Sequence, residues 1–282
     1  MISKKCNILY PVDFSTRCVL AAHHVKTWVD RFGAALNTLH VVDIDALALH
    51  YDKLPYLMAK RTADLEHFSD HYFGRDIARS IVLRGGTEEQ IEHFATQEKI
   101  DLIMLPRNHQ NFFDRALHDS LTATLLERCT ASVWTTEHLD DARPPSVNSI
   151  LCAVHLGRDV TLDAQNHRIL QTVKEVMASF QAQVTFLHVI DREEELATSS
   201  VHLRAISGEE LWLAQAHELL GHPAALLRKM GDVVTAIKHT ANQVAADLIV
   251  VGRTRPGTIG LGVQGNILKI DHVTSRPVLS VW

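Results

Sequence analysis

The sequence predicts an α/β fold built as two tandem open five-stranded parallel sheets flanked by helices. Three observations predict it. The chain repeats itself, with matched segments 142, 148 and 146 residues apart. Short runs rich in Val, Ile and Leu alternate with helical stretches of about ten residues or more, as strands buried on both faces alternate with crossover helices. A polar, Pro-rich segment divides the 282 residues near their middle.

The repeat is read directly. Asn7-Ile8-Leu9-Tyr10-Pro11-Val12-Asp13 aligns with Ser149-Ile150-Leu151-Cys152-Ala153-Val154-His155. Thr38-Leu39-His40-Val41-Val42-Asp43 aligns with Phe186-Leu187-His188-Val189-Ile190-Asp191, and Asp101-Leu102-Ile103-Met104-Leu105-Pro106 with Asp247-Leu248-Ile249-Val250-Val251-Gly252. Three collinear matches at nearly constant offset indicate a tandem duplication.

In the first half, strands are expected at 8–12, 38–42, 81–83, 102–105 and 132–134. Helices fall between them at Thr16–Arg31, Glu88–Glu98 and Ser120–Arg128. The second half repeats the rhythm, with strands at 150–154, 184–189, 225–229, 248–251 and 278–281 and helices at Asp163–Phe180, Val233–Ala245 and Gly265–His272. Gly85-Gly86-Thr87 and Gly231-Asp232 read as turn and N-cap before a helix. The less regular stretches 43–76 and 191–222 hold helical patterns at Leu57–Phe73 and Glu209–Leu220, expected to be inserted helices or lids over a sheet edge. Domains are therefore expected at 1–138 and 148–282, joined through Asp140-Asp141-Ala142-Arg143-Pro144-Pro145.

Composition excludes several classes. With 46% hydrophobic residues the chain can pack a core, which excludes a disordered protein. A net charge of −5 and the lack of a basic stripe argue against a nucleic-acid partner. No apolar run reaches the ~18–20 residues of a membrane span, and the first residues turn polar before a signal-peptide core develops. Cys6, Cys18, Cys129 and Cys152 are widely spaced, as expected of reduced core thiols in a cytoplasmic protein.

Ile8-Leu9-Tyr10-Pro11-Val12-Asp13-Phe14-Ser15 resembles the opening strand of universal stress proteins, and Leu39-His40-Val41-Val42 their second strand. Val250-Val251-Gly252, Gly265-Asn266 and Arg276-Pro277-Val278-Leu279-Ser280-Val281 resemble their last third. The resemblance spans nearly the whole chain, twice. It implies an adenine-nucleotide α-hydrolase-like fold in each half, two halves packed as a pseudo-dimer through the last-strand segments 131–135 and 277–281, and a possible homodimer. It also implies a cytoplasmic role in stress adaptation, as a binding or signalling module.

Nucleotide-binding members carry G-x2-G-x9-G-[ST] after the fourth strand, where glycines admit phosphate oxygens and the next helix N-terminus donates amides to them. The second half reads Gly252-x2-Arg255-x9-Gly265-Asn266; the first reads Pro106-x2-His109-x9-Asp119-Ser120. Asp119 places a carboxylate where a phosphate would sit, a repulsion of about 4 kcal/mol at ~4 Å and an effective dielectric near 20. Binding is therefore expected in the second half. There Gly252, Arg255, Gly265 and Asn266 would hold phosphate, and Ala153, Val154, His155 and Val189 would line the base and ribose side. ATP or another adenine nucleotide is the implied ligand, with Mg²⁺ only alongside it. The opening-strand Asp, which family binders use near the ribose or metal–phosphate region, is kept as Asp13 but replaced by His155 in the second half.

Two other readings stay open at this stage: a slow Mg²⁺-dependent nucleotide hydrolase, and a ligand-free protein-interaction module. There is no G-x-S-x-G elbow, no P-loop and no H-E-x-x-H, so no catalytic residue is assigned. Among the 18 histidines, His67 and His71 share a helix face and could hold two corners of a zinc site, with Asp64, Glu66 or Asp70 as a third. An exposed, mixed-charge helix face explains them better, because no closing ligand is evident, and no metal is assigned.

Overall fold

The computed structural model describes residues 6–43, 53–106, 121–136, 139, 146–156, 164–190, 202–253 and 263–282. The chain divides into two compact units, 2–145 and 146–282.

The first unit runs β1 (Asn7–Pro11), α1 (Thr16–Phe32), β2 (Ala35–Val42), α2 (Leu54–Phe73), β3 (Ala78–Arg84), α3 (Thr87–Gln97), β4 (Leu102–Pro106), α4 (121–128) and β5 (Ser132–Thr136). Its strands lie in the order β3-β2-β1-β4-β5, every neighbouring pair parallel. The second unit repeats this with β6 (Ser149–Val154), α5 (Ala164–Phe180), β7 (Gln183–Ile190), α6 (His202–Leu220), β8 (Ala225–Met230), α7 (Val233–Gln243), β9 (Leu248–Gly252), α8 (Val263–Thr274) and β10 (Val278–Val281). Its order is β10-β9-β6-β7-β8, again all parallel. The side on which successive strands are added switches between β1 and β4, and between β6 and β9. At such a switch point the loops diverge and leave a crevice beyond the strand ends.

The central strands are the expected apolar runs. Ile8, Leu9 and Tyr10 in β1 and Ile150, Leu151 and Cys152 in β6 are fully buried, as are Leu248, Ile249 and Val250 in β9. All four cysteines are buried. The duplication extends to hydrogen bonds. Asn7 N–H donates to Asp101 Oδ2 and Asn148 N–H to Asp247 Oδ2, both at 2.8 Å. Asn7 Nδ2 donates to Glu98 O, while Ser149 Oγ donates to Val244 O, so each opening strand binds the end of the helix before its fourth strand. Lys99 and Ala245 carry matching positive φ angles of 51° and 48°.

The helices α2 and α6, in the stretches expected to hold inserted helices or lids, lie between consecutive parallel strands as crossovers. α2 packs on β2 and β3, and α6 packs against α5, because parallel neighbours such as β2 and β3 require a covering helix to return the chain. Both start earlier than their sequence pattern suggests. Pro55 sits in the first turn of α2, where its missing N–H is harmless. Gly208 lies inside α6. The segment 140–145, with Pro144-Pro145, lies outside the described residues.

Candidate functional site

The crevice of the second domain is formed by the carboxyl ends of β9, β6 and β7. The last registered pairs are Ala153–Val251 and Val154–His188, so His155 continues β6 between the ends of its two neighbours. Ala153 and Val189 are half-buried, Val154 is buried and His155 is exposed. His188 is buried, with Nδ1 3.4 Å from Val154 O, and its ring centroid lies 6.1 Å from that of His155.

Two consecutive residues at the start of α5 draw this end together. Asn166 Nδ2 donates to His155 O at 3.1 Å. Gln165 Nε2 donates to Arg253 O. One helix terminus therefore holds both sides of the switch point, the chain leaving β6 and the chain leaving β9. Sequence reasoning missed Gln165 and Asn166, because neither belongs to a motif; Arg253, beside Gly252, reads there with Arg255 only as a source of charge for phosphate.

Gly252 has a packing reason to be glycine. A Cβ there would lie 2.6 Å from Ile169 Cδ1 and 2.8 Å from Gln165 Nε2, closer than atoms tolerate, so the missing side chain is what lets α5 approach β9. Arg253 is buried, with its guanidinium carbon 5.4 Å from the Trp282 ring centroid and its amide bonded to Val281 O at 2.7 Å. A buried guanidinium on an aromatic face keeps a fixed positive charge at the root of the loop. Arg255 lies outside the described residues. Gly265 and Asn266 stand in the first turn of α8, whose backbone amides have no partner within the helix.

The first domain uses the same positions differently. Asp13 Oδ1 accepts from Ser15 N–H at 2.8 Å, closing a turn, and Ser15 Oγ caps α1 by accepting from Cys18 N–H. Phe14 adopts a left-handed φ of 61°, unusual without a β-carbon-free residue. Its ring lies 4.8 Å from His40 and 6.1 Å from Phe68, with Arg61 5.6 Å above it. His40 Nδ1 lies 2.7 Å from Val12 O, and burial lowers its pKa. At this strand end Phe14 thus packs with His40, Phe68 and Arg61 on the β2 and α2 side. His109, Asp119 and Ser120 lie outside the described residues.

His67 and His71 face each other on α2 with ring centroids 6.4 Å apart. Among the described residues no group of three or more His, Cys, Asp or Glu side chains could hold a metal ion. Burial raises the pKa of the Cys18 and Cys152 thiols far above the usual range, which makes them inert core groups. No described helix is long and apolar enough to cross a membrane.

Compared with known proteins, the chain matches the model of the universal stress protein family over residues 6–136 and 157–267. None of the curated proteins compared with it matches. Among solved structures, it is similar to a universal stress protein from Archaeoglobus fulgidus DSM 4304, at 17% identity and a TM-score of 0.75 over 100% of this chain and 98% of that one. It is also similar to a functionally unknown protein from Pseudomonas aeruginosa PAO1, at 16% identity and a TM-score of 0.68 over 100% and 94% of the two chains. The cytoplasmic domain of a prokaryotic cation chloride cotransporter shares the fold at 12% identity and a TM-score of 0.55 over 98% and 95%.

Proposed function

Because the chain belongs to the universal stress protein family, we propose that it is a cytoplasmic stress-response binding protein whose second domain takes an adenine nucleotide. The first domain serves as a ligand-free partner of the second. One observation carries this reading: the ends of β6 and β9 are held together at the start of α5 by Asn166 and Gln165, beside an exposed His155 and a buried Arg253. In the first domain the residue after Asp13, Phe14, packs instead against His40 and Phe68.

Ala153, Val154, His155 and Val189 would line the base and ribose side, the strand-end backbone supplying donors and acceptors that single out adenine. Gly252, Arg255, Gly265 and Asn266 would receive the phosphates, with first-turn amides of α8 as donors. Nothing in this arrangement requires turnover, so the protein acts by holding its ligand.

Calorimetric titration of the full chain with ATP tests the reading. One binding event is expected, lost in Gly265→Asp, where a carboxylate would meet the phosphates, and no phosphate should be released over hours. Absence of heat in the parent, with intact folding, would leave the interaction-module reading; phosphate release that tracks binding would favour the hydrolase.

A further inference from the structure

The first domain carries an exposed apolar strand at one edge of its sheet, and the second domain does not repeat it. β3 stands at the end of the order β3-β2-β1-β4-β5, away from the last-strand edge β5. Along it Ser80, Ile81, Val82 and Leu83 are half-exposed, and Ile77, just before it, is 51% exposed. The pairs His40–Val82 and His188–Arg228 align β3 with β8, the matching edge of the second domain. In that alignment Arg228 and Lys229, both exposed, stand where β3 has Val82 and Leu83. Charged side chains along an edge strand keep it from pairing with another chain. β8 is blunted in this way, and the middle of β3 is not.

The charges that β3 does carry sit near its ends. Arg79 faces Glu98, with Nη1 3.2 Å from Oε2, so its charge is already balanced. Arg84 closes the strand and is exposed. At the other end Ile77 N–H donates to Gly74 O at 3.3 Å, and this turn sets an exposed Asp76 just ahead of the strand. The edge therefore runs from an acid to a base. Antiparallel pairing of two such edges about a two-fold axis brings each base beside the other's acid, whereas parallel pairing sets like charges together.

We propose that β3 is a self-association edge, through which two molecules of this chain pair antiparallel and continue the first-domain sheet across a two-fold axis. Centred on Ser80, the pairing sets Arg84 of each molecule opposite Asp76 of the other, Leu83 opposite Ile77 and Val82 opposite Ala78. The exposed Ile77 gains an apolar neighbour. The Ser80 hydroxyl is not needed at the contact, since it already bonds to Ser69 Oγ at 3.0 Å on the α2 side. This inference is independent of the nucleotide reading.

Sedimentation velocity of the full chain, from low to high micromolar concentration, tests it. The mass should move from one chain toward two. Leu83→Lys, which copies Lys229 of the matching edge, should hold the protein as a monomer with an unchanged circular dichroism spectrum. Arg84→Asp should weaken the dimer about tenfold or more, because two-fold symmetry counts each lost pair twice. Adding Asp76→Lys to Arg84→Asp should restore it. A parent that stays monomeric throughout would overturn the proposal. So would a dimer indifferent to both Leu83→Lys and Arg84→Asp, since the contact would then lie elsewhere. A double charge swap that fails to restore the dimer would overturn the pairing of Asp76 with Arg84.

Discussion

His24 lies on α1 against Trp134, with ring centroids 5.5 Å apart, and burial lowers its pKa from 6.5 to about 4. The unfolded imidazole takes up a proton near pH 6.5, whereas the folded one waits until about pH 4, so between these values the unfolded state holds more protons. Stability should therefore fall as pH drops from 6.5 toward 4, by at most about 3 kcal/mol from this residue. Urea unfolding at pH 7 and pH 4 should show a smaller loss for His24→Leu than for the parent; equal losses would count against burial of a neutral imidazole. Gly252 is the second residue with a sharp consequence. Gly252→Ala should cost roughly 1–3 kcal/mol, because Ile169 and Gln165 must move outward. Its thermal midpoint should drop by several degrees; an unchanged midpoint would mean that α5 is not tightly held. Neither effect is legible in the sequence, where Gly252 reads as a phosphate glycine and Ile169 is 83 positions away.

At the scale of the element, the paired helices α3 and α7 show how the duplicated copies diverged. Asp232 caps α7, with Oδ1 accepting from Thr235 N–H at 2.8 Å and from its hydroxyl at 2.6 Å, and those bonds lower its pKa. Gly86 stands at the same place before α3 and offers no side chain. Asp232→Ala should cost about 1 kcal/mol, while Gly86→Ser should gain roughly 0.5–1 kcal/mol by adding a cap and stiffening the unfolded chain. Both are checked by the urea midpoint, and a neutral Gly86→Ser would show that the exposed α3 terminus is already satisfied by solvent. These caps were readable in the sequence, as were all ten strands, because the signals are local: an apolar run, or a small polar residue before a helical period. The crossover roles of α2 and α6 were not readable. Whether a helix is a lid or a sheet cover depends on which strands pair, and that is decided by residues far apart in the chain. The contacts of Asn166 and Gln165 at the crevice were hidden for the same reason, since each joins α5 to a strand end through one polar bond.

At the scale of the whole molecule, one fold is used twice with its chemistry divided unequally. The first copy keeps Asp13 but commits it to its own turn, and beside it Phe14 packs with His40 and Phe68. The second keeps Gly252 and Arg253. The expected consequence is a stoichiometry of one nucleotide per chain. Native mass spectrometry with ATP should show a single bound nucleotide at concentrations well above the dissociation constant, and ATP at about 100 times that constant should stabilise the second domain by about 2.7 kcal/mol. Hydrogen exchange would localise the effect: protection should rise in β6, α5 and β9 and stay unchanged in β1, α1 and β4. Two bound nucleotides per chain, or matched protection in β1 and β6, would mean that Phe14 moves aside on binding and that the first domain is a second site.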